Sequence, residues 1–191
     1  MKKQVLMDEL ILEAGEIAVV STTLPAEAVC IAKRLFEKGV RAMELAYRDI
    51  ENIEGTDECI RAVRGEVPEM LVGAATVTNS YLARRAKKAG AQFVLSAGFN
   101  SSTVKWCVKH NMPVYPGTAT PGEIEAAMGF GLWIVKVFPA EVLGGTKYLK
   151  ALSGPYPEMK YIVSGGINGD NAKDYKEMEC VAAVSGTYLL K

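Results

Sequence analysis

A lysine inside an apolar run is the first residue of this sequence that could do chemistry. The run is IVKVFPAE, residues 134–141, and Lys136 is its only basic residue. Side chains alternate between the two faces of a strand, so Lys136 shares a face with Ile134 and Phe138. An amine held in an apolar site is partly in its free form near neutral pH, and a free amine condenses with a ketone to form a Schiff base. Because the positive nitrogen of a Schiff base withdraws electrons from the adjacent carbon–carbon bond, Lys136 is a candidate for cleaving such a bond.

Other apolar runs end in groups that this reaction would need. Glu44, in MELAYRD, could relay protons. Arg48, in the same stretch, could hold a substrate carboxylate through two hydrogen bonds. Two glycine turns, SGGI at 164–167 and SGT at 185–187, could present backbone N–H groups to a ligand.

Each of these residues also has a plainer interpretation. A lysine in a strand is more often an edge residue, or one whose amine reaches out to solvent. Glu44 and Arg48 could form a structural salt bridge with each other, and Gly-Gly turns are common. The set as a whole favours a functional site, because the ends of five predicted strands supply complementary groups.

The elements that must position these residues are eight short apolar segments with helix-like stretches between them. The predicted strands cover residues 17–21, 42–46, 71–75, 93–97, 113–117, 133–138, 160–165 and 182–186. They lack polar alternation, as expected of strands that are covered on both sides in a parallel sheet. This pattern favours a (β/α)8 TIM barrel of the α/β class over a doubly wound sheet.

The first and last residues of the sequence predict how the barrel begins and ends. The first residues fit an amphipathic N-terminal helix, which could cover one end of the barrel. The sequence stops at SGTYLLK, directly after the eighth strand, so we predict a truncated or missing last helix. In such a barrel, active sites lie at the carboxyl ends of the strands, and phosphate is commonly bound after strands seven and eight.

Composition narrows the class of protein. The length of 191 residues predicts a single domain over 1–191. Lys plus Arg and Asp plus Glu number 22 each, so no charge excess points to a nucleic-acid or membrane partner. The four cysteines form no C-x-x-C pair, which argues against a metal site and favours reduced thiols. No apolar run approaches the roughly 20 residues that span a bilayer, so we expect a soluble, cytoplasmic protein.

Longer motifs resemble one known family. They are GVRAMELAYRD, EVPEMLVGAATVTN, AGAQFVLSAGFN, PVYPGTATPGEIEAAMGFG, VKVFPAEVLGG, VSGGI and the final SGTYLL. In this order, from about residue 17 to 190, they resemble the 2-keto-3-deoxy-6-phosphogluconate / 4-hydroxy-2-oxoglutarate aldolases, class I enzymes that work through a Schiff base. KVFPAE followed by GG is the most specific of these motifs, whereas SGGI alone is not specific.

The resemblance implies a role for each matching position. Lys136 corresponds to the Schiff-base lysine, and Glu44 to the acid/base that moves protons. The positions matching substrate-binding residues are Arg48, Thr76, Phe138 and Ser164; those matching the phosphate-binding turns are Gly165, Gly166, Ser185, Gly186 and Thr187. The family is similar in needing no metal or cofactor and in being typically homotrimeric.

Three functions remain open on this basis. The leading hypothesis is cleavage of 2-keto-3-deoxy-6-phosphogluconate to pyruvate and glyceraldehyde 3-phosphate. An alternative is cleavage of 4-hydroxy-2-oxoglutarate to pyruvate and glyoxylate. It stays open because the end of the first strand, STT at 21–23, and the TAT at 118–120 are unusual for the family, and because Ala97 and Ser164 depart from the family pattern near the pocket. A hypothesis from another class is a non-catalytic phosphosugar-binding barrel. It is disfavoured because a mere binder has no need for a desolvated amine.

Overall fold

Nine parallel strands, each short, form one sheet that curves into a barrel. The computed structural model describes residues 2–191. The strands are β1 Glu16–Val20, β2 Ala42–Ala46, β3 Leu71–Ala75, β4 Phe93–Leu95, β5 Val114–Tyr115, β6 Gly117–Thr118, β7 Ile134–Val137, β8 Lys160–Ser164 and β9 Val181–Gly186. Their order in the sheet is β5-β4-β3-β2-β1-β9-β8-β7-β6, and every pairing is parallel. The predicted α/β barrel is therefore confirmed.

The fifth strand of the barrel differs from the prediction. The prediction of a single strand over 113–117 was wrong, because the chain forms two strands, β5 and β6, on either side of Pro116. Proline has no N–H to donate to a neighbouring strand. β5 pairs with β4, whereas β6 pairs with β7, and the N–H of Lys136 donates to the carbonyl of Pro116 at 2.9 Å. The two halves together close the barrel between β4 and β7.

Eight α-helices within residues 2–191 accompany the strands; the first precedes β1, and the others follow strands around the outside of the barrel. They are α1 Lys2–Ala14, α2 Pro25–Glu37, α3 Ile53–Glu66, α4 Ser80–Ala89, α5 Ser101–Lys109, α6 Pro121–Met128, α7 Gly145–Ser153 and α8 Ala172–Lys176. A 3-10 helix, Thr187–Leu190, follows β9. It is held by Arg34, which donates to the carbonyl of Leu190 at 3.2 Å, and by Tyr188, which donates to Glu16 at 3.2 Å.

The amino end of the barrel is filled by apolar side chains. Met7 and Ile11 of α1 are buried there, in one cluster with inward-facing strand residues such as Phe93 and Tyr115. This confirms that the N-terminal helix covers one end. Polar side chains buried inside the barrel, among them Glu44 and Lys136, lie toward the carboxyl ends of the strands. The fold therefore leaves one end of the barrel available for a site.

One glycine in the barrel interior leads to a stability prediction. A Cβ atom added to Gly73 would lie 2.2 Å from the ring of Phe93, so a larger residue requires the ring to move. We expect Gly73→Ala to lower the free energy of unfolding by about 1–3 kcal/mol, the usual cost of overpacking a core. Denaturant titration measures the change.

A second glycine provides the matched control. Gly65 lies in α3, and an added Cβ would contact nothing within 4 Å. Gly65→Ala should be neutral or stabilising by up to about 1 kcal/mol, since alanine favours a helix. Equal midpoints for wild type and Gly73→Ala would contradict the packing described here.

The sequence predicted no membrane-spanning segment and reduced cysteines, and the structure bears on both points. None of the helices within residues 2–191 combines the length and apolar character needed to cross a membrane.

The four cysteines, all within the described part of the chain, form no disulfide with one another. Burial raises the pKa of the Cys59 thiol to about 11 and that of Cys107 to about 12. These two thiols are consequently protonated near neutral pH.

Candidate active site

A cavity of about 200 Å³ lies at the carboxyl ends of the strands. All eleven residues singled out in the sequence line it: Glu44, Arg48, Thr76, Lys136, Phe138, Ser164, Gly165, Gly166, Ser185, Gly186 and Thr187. The barrel thus brings residues from five of its strands, or from the loops that follow them, into one cavity.

Lys136 and Glu44 meet inside the barrel. The Nζ atom of Lys136 lies 3.5 Å from Oε1 of Glu44. Only 6% of Lys136 and 1% of Glu44 are exposed to solvent. Their strands, β7 and β2, are four strands apart in either direction around the barrel when β5 and β6 are counted as one. The two side chains therefore reach across the interior from opposite walls, and the lysine does not extend to bulk solvent.

The carboxylate of Glu44 is only partly satisfied by the protein. Its Oε1 atom accepts from Lys136 and, at 3.4 Å, from the hydroxyl of Ser185. Its Oε2 atom is buried and has no hydrogen-bond partner among residues 2–191. Among the described residues, the ion pair of Glu44 is with Lys136 and not with Arg48. A buried carboxylate oxygen without a partner is uncommon in a folded protein, and here it leaves an acceptor for a ligand.

The end of β2 is fixed by a charged network behind the cavity. Tyr47, which precedes Arg48, donates its hydroxyl to Asp57 of α3. Arg85 of α4 forms an ion pair with the same carboxylate at 2.6 Å. Burial, followed by the hydrogen bond to Asp57, raises the pKa of the Tyr47 hydroxyl. The network holds the backbone at the point where Arg48 enters the cavity.

Thr76 lines the cavity in an unusual backbone conformation. Its φ angle is 57°, in the left-handed region that β-branched residues rarely adopt. The flanking backbone is held by the N–H of Val77, which donates to the carbonyl of Leu95 at 3.1 Å. Strained residues of this kind concentrate at functional sites.

The turn after β8 requires glycine at two consecutive positions. Gly165 and Gly166 have φ angles of 93° and 87°. A Cβ atom on Gly165 would lie 2.8 Å from Cα of Pro139, and one on Gly166 would lie 2.5 Å from Cγ of Glu141. The backbone of this turn can therefore approach a ligand closely, with no side chain in between.

The turn after β9 lies beside the turn after β8, because the two strands are paired. Ser164 and Ser185 are paired in register, so the two strands end at the same level. Gly186 is confined by the ring of Tyr188, whose Cδ1 atom would be 2.8 Å from an added Cβ. The two turns together form one wall of the cavity.

Four further residues, none of which was assigned a role from the sequence, line the cavity: Val19, Ala75, Ala97 and Ile167. Val19 is paired in register with Glu44, so its inward orientation follows from the side-chain alternation of β1. Ala75 and Ile167 immediately neighbour predicted site residues in the chain. Their apolar side chains carry no chemical signal of their own, which is why a search for reactive groups misses them.

Comparison with known proteins identifies the family. The family model described as KDPG and KHG aldolase matches residues 7–191. The 2-dehydro-3-deoxy-phosphogluconate aldolase of Treponema pallidum is 40% identical over 174 residues, which are 91% of this chain and 81% of that relative. The chain belongs to the KDPG and KHG aldolase family. The resemblance found in the sequence motifs is thereby confirmed.

Solved structures of KDPG aldolases share the fold of this chain. The enzyme of Zymomonas mobilis ZM4, determined with 3-phosphoglycerate, has a TM-score of 0.89 at 28% identity, covering 97% of this chain and 86% of that one. The enzyme of Legionella pneumophila, with pyruvate captured at low pH as a covalent carbinolamine intermediate, has a TM-score of 0.87 at 30% identity, covering 95% and 86%. This chain therefore has the barrel of a carbon–carbon lyase family.

Proposed function

We propose that this protein is a class I aldolase that cleaves 2-keto-3-deoxy-6-phosphogluconate to pyruvate and glyceraldehyde 3-phosphate through a Schiff base on Lys136. The observation that carries the proposal is the buried amine of Lys136, 3.5 Å from the carboxylate of Glu44. A nucleophile beside a proton-transfer group is the arrangement that imine chemistry requires. A non-catalytic phosphosugar-binding barrel would gain nothing from desolvating both charges, each of which costs free energy to bury.

The first half of the reaction builds the imine. The free amine of Lys136 attacks the C2 ketone of the substrate and forms a carbinolamine. Glu44 relays the protons that let the carbinolamine oxygen leave as water, which gives the positively charged Schiff base. The pyruvate carbinolamine captured in the Legionella pneumophila enzyme corresponds to this stage of the reaction.

The second half breaks the carbon–carbon bond. Glu44 takes the proton of the C4 hydroxyl, the C3–C4 bond breaks, and its electron pair moves to C3 and toward the imine nitrogen. Glyceraldehyde 3-phosphate leaves, and an enamine of pyruvate remains on Lys136. Protonation at C3 and hydrolysis of the imine then release pyruvate and restore the amine.

The remaining site residues would hold the substrate. Arg48 and Thr76 are assigned to the pyruvate carboxylate, because the guanidinium can donate two parallel hydrogen bonds to it. Phe138 and Ser164 shape the site around the imine; the Phe138 ring centroid lies 5.6 Å from the Lys136 amine. The substrate phosphate is assigned to the two glycine turns, with Gly165, Gly166, Ser185, Gly186 and Thr187.

Cleavage of 4-hydroxy-2-oxoglutarate to pyruvate and glyoxylate is a second candidate activity. It is supported by the family description, which names KHG aldolase beside KDPG aldolase. The same Lys136 and Glu44 chemistry applies to both substrates, since both carry a ketone at C2 and a hydroxyl at C4. The phosphate distinguishes them.

The decisive experiment combines trapping with a substrate comparison. Incubation with pyruvate and borohydride should reduce the imine and leave a stable adduct on Lys136, located by peptide mass spectrometry. Steady-state kinetics should give a higher kcat/KM for the phosphorylated substrate than for 4-hydroxy-2-oxoglutarate. No adduct and no cleavage of either substrate would refute the proposal, whereas a reversed preference would favour the second activity.

We also propose, from the family resemblance, that a single domain over 1–191 assembles as a homotrimer in the cytoplasm and works without a metal or cofactor. Light scattering tests the assembly, because a trimer has three times the 20.6 kDa mass of one chain.

A further inference from the structure

A buried tyrosine and a carboxylate lie directly behind the glycine turn that follows β8. Tyr175 of α8 is 1% exposed, and its hydroxyl donates to Oε1 of Glu141. The side chain of Glu141 in turn packs against Gly166, where an added Cβ would lie 2.5 Å from Cγ of the glutamate. The backbone N–H of Glu141 also donates to the carbonyl of Gly165 at 3.1 Å. Glu141 thus contacts both glycines of the turn.

The segment containing α8 holds the turn at a second point. The side-chain amide of Asn171, which precedes α8, donates to the carbonyl of Gly166 at 3.0 Å. Asn171 is itself held, because its Oδ1 atom accepts from the N–H of Asn168 at 2.8 Å. Glu141, which accepts from Tyr175, and Asn171 therefore both hold the turn.

A third glycine, Gly145, packs closely against Tyr175 and Glu141. A Cβ added to Gly145, at the start of α7, would lie 3.0 Å from the Tyr175 hydroxyl and 3.2 Å from Oε1 of Glu141. Burial and the neighbouring carboxylate raise the pKa of the Tyr175 hydroxyl, so it remains a hydrogen-bond donor throughout the neutral range. The donated hydrogen bond also holds one oxygen of Glu141 toward α8.

We propose that Glu141 and Tyr175 are positioning residues that fix the Gly165–Gly166 turn and thereby set the affinity for the substrate phosphate. The inference rests on the proposed function, which assigns this turn to the phosphate. Two consecutive glycines in the left-handed region have many alternative conformations, and binding requires one of them. A turn that is already held in the binding conformation loses less entropy when the phosphate binds. Neither residue touches the imine, so bond cleavage itself should not depend on them.

The test compares two substrates that differ in the phosphate. In Glu141→Ala we expect the KM for 2-keto-3-deoxy-6-phosphogluconate to rise about tenfold, as for loss of a hydrogen bond to a charged group. In Tyr175→Phe we expect a rise of about threefold, since the carboxylate packing remains. The kcat for this substrate, the KM for 4-hydroxy-2-oxoglutarate and the rate of labelling by pyruvate and borohydride should stay within about twofold of wild type. Glu141→Gln, which still accepts from Tyr175, should restore most of the affinity.

Matched control variants distinguish the role of Glu141 and Tyr175 from the general effect of removing a carboxylate or a tyrosine hydroxyl. Asp174→Ala removes an exposed carboxylate from the same helix. Tyr161→Phe removes a buried tyrosine hydroxyl that has no partner among the described residues. Both controls should behave as wild type. Equal losses on both substrates, or no loss on the phosphorylated one, would overturn the inference.

A direct binding measurement makes the inference independent of turnover. Calorimetry with inorganic phosphate should show affinity weakened in Glu141→Ala and Tyr175→Phe, and unchanged in the two controls. If the wild type shows neither cleavage nor labelling, the proposed function fails, yet this difference in phosphate affinity would still support the positioning role. Unchanged phosphate affinity in both variants, or no phosphate binding by the wild type, would refute it.

Discussion

Replacing Lys136 with methionine is expected to abolish aldol cleavage, with kcat lowered by about 10⁴-fold or more, the scale seen when a covalent nucleophile is removed. Methionine has a similar length but no amine, so neither the carbinolamine nor the Schiff base can form. The loss should appear equally with phosphorylated and phosphate-free substrates, because both react through the same imine. Cleavage is measured by pyruvate release, and imine formation by borohydride trapping.

Two further variants make this result specific. Lys136→Arg keeps a cation beside Glu44 but cannot form an imine, so it separates loss of the nucleophile from loss of the ion pair. Lys105→Met removes an exposed lysine on α5 and should leave both readouts at wild-type levels. Borohydride labelling of Lys136→Met at the wild-type rate would place the imine on another residue and refute the mechanism.

Replacing Glu44 with glutamine is expected to lower kcat by about 10²–10⁴-fold, the usual contribution of a general acid–base group. The amide has nearly the same shape as the carboxylate, so the cavity should keep its form. It cannot take or give the proton that carbinolamine dehydration and C–C cleavage require. Borohydride trapping with pyruvate should therefore slow as well, since it depends on the first of these steps.

Two control variants test whether the loss in Glu44→Gln comes from the carboxylate itself. Ser185→Ala removes the 3.4 Å hydrogen bond to Oε1 but leaves the carboxylate in place, so its effect on kcat should be much smaller, and loss of its proposed phosphate contact should appear in KM. Glu66→Gln makes the same chemical change in an exposed pair with Lys33 and should not affect the kinetics. Wild-type trapping and cleavage in Glu44→Gln would show that another group moves the protons.

Much of the fold could be predicted because the relevant signals are local. The apolar runs of the strands and the intervening helix-like stretches lie within short windows of sequence, and they define the alternation that a barrel needs. The division of the fifth strand was missed. Pro116 interrupts the pairing with β4, but a proline in a short run does not reveal that the chain continues as a strand against β7.

The residues of the candidate site could also be named from the sequence. Lys136, Glu44 and Arg48 are unusual at the ends of apolar runs, and the carboxyl-end rule of the barrel predicts that they converge. Family motifs then supplied the proposed roles of Thr76 and of the glycine turns. No structural coordinate was needed to find these residues.

The tertiary structure alone decided how these groups meet. Lys136 and Glu44 are 92 residues apart, and they form an ion pair because β2 and β7 face each other across the barrel. In the sequence, pairing of Glu44 with Arg48 was equally plausible. The contact between Tyr175 and Glu141 likewise joins α8 to the loop after β7, and neither residue carries a local signal of it. Sequence patterns record which face a side chain takes within its own element, whereas contacts between distant elements depend on how the closed barrel arranges its strands and helices.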